Sequence, residues 1–117
     1  MALSKLAQQF AAEIRQQDWS DSPYRADRAG HSREHDTNRG SATLTVDQTD
    51  TVRMNVMWVT AQVLGYNDPN FDVYEYAEAC GVDTRTRSGR PHDGGILAGL
   101  RMYDGHYAIP GTWEYKE

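Results

Sequence analysis

The sequence predicts a small α+β fold. An N-terminal amphipathic helix and a long polar loop occupy residues 1–41. A three-helix unit closed by a C-terminal β-hairpin occupies residues 42–117. Three observations lead there. Apolar residues recur at helical spacing in several separate segments. Turn dipeptides, Asp104-Gly105 and Pro110-Gly111, cluster near the C-terminus. The length of 117 residues and a hydrophobic share of 38% fit one modest core with much polar loop outside it.

The first helix is expected over 2–17. Leu3, Leu6, Ala7, Phe10, Ala11 and Ile14 form one stripe, wide enough to pack on this chain's core or on a partner, including a second copy. Residues 18–41 are dominated by Ser, Asp, Arg, His and Gly and read as a loop, with a short turn at Ser22-Pro23. The alternating Ala42-Thr43-Leu44-Thr45-Val46 reads as a strand. A strong helix follows over 50–64. Val52, Val56, Val59 and Val63 define one face with Met57, Ala61 and Leu64 beside it, Met54 and Trp58 widen the apolar surface of this expected central buried helix, and Gly65 is the expected C-cap. Asn67 to Asn70 form a turn. Asp72 with Glu75 resembles a capping box for a helix over 72–80, and Gly81 stops it. After the polar, basic stretch 83–90, Pro91 suits the first turn of a helix near 92–102 with Ile96, Leu97 and Leu100 on its apolar face. Residues 106–109 and 112–115 read as short strands.

Several function classes drop out. No apolar run approaches the roughly 18 residues a transmembrane helix needs. No basic start precedes an apolar stretch, so a signal peptide is not expected. A single cysteine, Cys80, leaves no internal disulfide and no Cys-rich zinc site. A cytoplasmic protein is expected. Its size and lack of a catalytic constellation suit an accessory or regulatory role of the kind phages and mobile elements encode.

From Ala42 onward the predicted order resembles a winged-helix domain, a helix-turn-helix variant. The resemblance centres on Val73-Tyr74-Glu75-Tyr76-Ala77-Glu78-Ala79-Cys80-Gly81-Val82. Ala77 sits four residues before Gly81, the spacing at which a small side chain admits a crossing helix and glycine takes the turn. Ala98 to Ile109 looks like the end of a recognition helix running into a wing. The resemblance implies DNA binding, with His106 and Tyr107 on the wing.

Charge is unevenly spread. The chain carries a formal net charge of -5, and residues 49–83 hold one arginine, Arg53, against six acids. Residues 84–108 hold Arg85, Arg87, Arg90 and Arg101 against Asp93 and Asp104 only. Two binding readings follow. In the first, Arg85, Arg87, Arg90 and Arg101, with Thr84, contact the phosphates of double-stranded DNA. In the second, Asp68, Asp72, Glu75 and Glu78 form an acidic face that imitates phosphate charge and blocks the basic groove of a nucleic-acid-handling protein. The run Thr84 to Arg90 also reads simply as a solvated loop.

No catalytic residue, cofactor or metal is expected, and the chain is read as a non-enzyme. His31-Ser32-Arg33-Glu34-His35 matches the H-x-x-E-H string of inverted zinc peptidases, but it lies in a polar loop with no apolar helical stripe. It reads as solvated loop, with only adventitious metal binding through His31, His35 and Asp36. His92 or Asp93 reads as a helix cap, and Cys80 as a buried helix-end residue. Tyr74, Tyr76, Tyr103, Tyr107, Trp113 and Tyr115 suit core and hairpin packing, or stacking on single-stranded bases.

Overall fold

Helix α1 runs Lys5–Gln16 and starts where Ser4 accepts a hydrogen bond from the Ala7 amide at 3.1 Å. The computed structural model to which it belongs describes residues 3–36, 41–84 and 95–113. The apolar stripe of α1 divides. Ala7, Ala11 and Ile14 are buried, while Leu6 and Phe10 stay exposed. The two alanines let α1 approach helices α2, Val46–Asn67, and α3, Val73–Ala79, and it packs on both.

Helix α2 begins earlier than its apolar pattern suggests. Thr45 is the N-cap of a full capping box. The Gln48 amide donates to Thr45 Oγ1 at 3.1 Å, and the Thr45 amide donates to Gln48 Oε1 at 3.0 Å. That reciprocal pair overrides the β-branched alternation of residues 42–46, which form no strand. Gly65 is not the C-cap. The helix continues through it to Asn67 and is capped at Asp68.

Within the broad apolar surface of α2 the core takes the side beside the valines, with Met54, Val56 and Trp58 packed against it. Met57, Ala61 and Leu64 are buried, whereas Val59 is 71% exposed and Val63 is exposed as well. Both sides of this helix are apolar, so periodicity alone does not choose between them.

Helix α3 agrees with its prediction closely. Asp72 Oδ1 accepts from the Tyr74 and Glu75 amides at 3.0 and 3.3 Å. The far end closes as a Schellman motif: the Val82 amide donates to Ala77 O and the Gly81 amide to Glu78 O. Gly81 takes φ +85°, the left-handed turn that only glycine adopts cheaply. Tyr76, fully buried, sits at the centre of the core, and its hydroxyl bonds Thr60 Oγ1 of α2 at 2.7 Å.

The expected helix near 92–102 is absent over its described part. Leu97–Gly99 form a single 3₁₀ turn, and Met102 already belongs to a strand. Three glycines over 94–99 weaken any helix there. The ring of Trp58 also lies where a Cβ on Gly99 would stand, and its indole N–H donates to Ile96 O at 2.8 Å. Strands β1, Met102–Tyr103, and β2, His106–Tyr107, pair antiparallel across Asp104 and Gly105, both at positive φ. This is the two-residue hairpin that Asp-Gly predicts. Its first strand, β1, lies before the Asp104-Gly105 turn. Thr112 and Trp113 lie in turn and bend, and Glu114 onward falls outside the described residues. The described residues thus form a small α+β fold with three α-helices and one two-stranded sheet. No helix among the described residues is long and apolar enough to cross a membrane.

Candidate functional site

The end of α2, the 68–71 turn and the hairpin meet at an open cleft of about 430 Å³. Tyr66, Asp68, Pro69, Phe71, His106 and Tyr107 line it. The local sequence explains each placement. Asp68 ends α2 and folds the turn by accepting from the Asn70 amide at 2.9 Å. Phe71 is carried inward by that turn, with its ring 5.3 Å from Tyr76 and 6.4 Å from Tyr107, the latter edge-on. Gly65 lets Tyr107 come close, because a Cβ there would overlap the ring.

The hairpin is held to α2 by a residue that sequence reasoning passed over. Gln62, buried, donates through Nε2 to Arg101 O and Ala108 O at 3.1 and 3.2 Å. Its Oε1 accepts from the Arg101 amide at 2.9 Å. A glutamine within the apolar stretch 56–65 of α2 was the only signal for it.

The cleft is aromatic in its walls and negative in its field. Asp68 lies at its edge. Burial raises the pKa of the Tyr107 phenol, and the neighbouring Asp72 carboxylate adds to that. The cleft also sits at the C-terminal end of the 22-residue α2, the negative pole of the helix dipole.

Asp72, Glu75 and Glu78 belong to α3 and its N-cap, and Asp68 to the C-cap of α2 just before. Asp72 and Glu78 are exposed, and Asp68 and Glu75 are partly so. Among the described residues no cation forms a salt bridge with Asp68, Asp72 or Glu78. Glu78 accepts instead from Thr84 Oγ1 at 3.2 Å, so Thr84 is buried beside the acidic face.

Arg85, Arg87 and Arg90 lie outside the described residues. Arg101 is turned back on its own chain: Nε donates to Thr112 O at 2.8 Å, and the guanidinium stands 5.5 Å from the Trp113 ring centroid. His106 is exposed on the hairpin, and Tyr107 is half-buried against α2. The structure therefore brings His106 and Tyr107 together with Asp68.

A second polar cluster corrects the reading of His31. This residue is 1% exposed, not solvated, and Asp21 is equally buried. Its Nε2 bonds Asp21 at 3.0 Å, and its Nδ1 bonds Asp36 and lies 3.5 Å from Asp27. Carboxylates only accept, so the ring that satisfies both sides is the imidazolium. Burial alone pulls its pKa down, but Asp36, Asp21 and Asp27 outweigh that and raise it.

Each carboxylate also has its own guanidinium: Arg33 on Asp21, Arg25 on Asp27, Arg28 on Asp36. Asp21, Asp27 and His31 lie close enough to suggest a cation site. The donor set does not fit one. Asp21 and Asp27 address opposite nitrogens of the same ring, and all three acids are already neutralised by arginine. The cluster instead fastens the loop to the end of α1, where Gln17 Oε1 accepts from the Gly30 and His31 amides. Alternating Asp and Arg over 18–36 was the available signal.

Cys80 is buried, and that burial pushes its thiol up to about 11, as befits a core residue. No family model, no curated protein and no solved structure matches this chain.

Proposed function

We propose that this chain is a non-enzymatic, cytoplasmic binding protein that engages a basic protein partner through Asp68, Asp72, Glu75 and Glu78. One contrast carries the reading. In the 18–36 loop Asp21, Asp27 and Asp36 each have an arginine, whereas on the 68–78 surface Asp68, Asp72 and Glu78 form no salt bridge among the described residues. A surface left negative in this way attracts a basic groove and competes with nucleic acid for it.

The test is anisotropy of a labelled polyarginine peptide and of a labelled DNA duplex, each titrated with the protein at low and high salt. Peptide binding that falls with salt, and is lost in the D68N/D72N/E75Q/E78Q variant, is the expected result. The winged-helix resemblance supplies the competing outcome. Duplex binding lost on R85A/R87A/R90A, with no peptide binding, replaces this reading with DNA recognition through the basic turn.

A further inference from the structure

The acidic face and the aromatic cleft adjoin, and their chemistry converges on one kind of group. We infer that the cleft seats a single arginine side chain of the basic partner; this rests on the binding reading above and specifies where it acts. Three independent features select a guanidinium. The walls are aromatic, with Tyr66, Phe71 and Tyr107 offering ring surface, on which a flat, weakly hydrated cation stacks. Asp68 at the edge provides carboxylate oxygens for its N–H fork. The C-terminal end of α2 adds negative potential from its last carbonyls.

An anion meets the Asp68 carboxylate and the negative end of α2 in this cleft. A neutral apolar side chain leaves that carboxylate desolvated without a partner. The volume of about 430 Å³ accepts a long side chain and, being open on one side, admits it from a protein surface. Arg101 demonstrates the same affinity within this fold, its guanidinium standing over the Trp113 ring.

The experiment uses the full chain, labelled with nitrogen-15, and a Gly-Ser peptide bearing one arginine. Its twin carries citrulline, the same shape without the charge. The arginine peptide is expected to move the amide resonances of Gly65, Tyr66, Gly105 and His106, and the citrulline twin to leave them in place. Asp68→Asn keeps an acceptor for the Asn70 amide and is expected to weaken the arginine peptide about fivefold, the scale of one exposed ion pair. Equal shifts from the citrulline twin overturn the assignment. So do shifts confined to the α3 face with the cleft unmoved, but then polyarginine binding still upholds the wider reading. Failure of polyarginine itself to bind removes both.

Discussion

The ring of Tyr107 lies where a Cβ on Gly65 would stand, so a glycine inside α2 sets how closely the hairpin approaches the helix. In isolation an alanine there favours the helix by about 1 kcal/mol. Overlap with a half-buried ring costs about 1–3 kcal/mol, and displacing the ring also loses its packing on Phe71. Gly65→Ala is therefore expected to lower stability by about 1–2 kcal/mol in urea titration. The sign reverses when the ring is gone: in a Tyr107→Ala background the same change is expected to stabilise. A double-mutant cycle without that reversal removes the steric account.

Gln62 spends its whole amide group on the backbone at the base of the hairpin, meeting Arg101 and Ala108. Gln62→Leu keeps the volume and strands those buried groups. The expected cost is about 2–3 kcal/mol. Hydrogen exchange reads the location, and the Arg101 amide is expected to lose protection ahead of the amides of α3. Unchanged protection at Arg101 argues that water substitutes for the side chain.

The choice of face on α2 has a direct energetic consequence. Val59→Thr is expected to change stability by no more than about 0.5 kcal/mol, as for an exposed position. Met57→Ala opens a cavity in the core and is expected to cost about 2–5 kcal/mol. Comparable losses at both positions mean that the valine side is covered in solution.

This helix also shows what a sequence discloses. Local signals were legible wherever a side chain meets its own backbone: Asp72 at the start of α3, Gly81 at its end, and Asp104-Gly105 in the hairpin. Long-range pairings were not. Nothing near Gly65 in sequence announces Tyr107, and nothing near Gln62 announces Arg101. The acidic residues were visible as a group, but the meeting of Asp68 with His106 and Tyr107 depends on how the hairpin docks. His31 looked solvated because its ligands are polar; only the fold shows that they enclose it.

Cys80 offers a probe of the core that requires no substitution. Its thiol, pushed up to about 11 by burial, is expected to react with a disulfide reagent only as the protein unfolds. The labelling rate should then follow urea concentration along the global unfolding curve. Rapid labelling in water means that α3 opens locally.

The His31 cluster makes loop docking depend on pH in both directions. The pKa of His31 is raised above 6.5 by Asp36, Asp21 and Asp27, against the opposing pull of burial. Its contribution is complete below 6.5 and is lost as pH climbs through the folded value. The carboxyl of Asp36 is lowered from 3.8 to about 2 by the His31 and Arg28 bonds. Its contribution is complete above 3.8 and is lost as pH falls toward about 2. The loop is held most firmly between those limits, in mildly acidic solution. Other charged groups in or beside the network are Asp18, Arg25 and Arg33, and the uncharged Gln17 secures the His31 amide. Proteolysis within 25–30, measured across pH, is expected to be slowest in that window and to quicken at both ends. In His31→Asn the alkaline limb should vanish while the acid limb persists, since Arg28 still pairs with Asp36. An alkaline limb that survives the substitution assigns the effect to some group other than this imidazole.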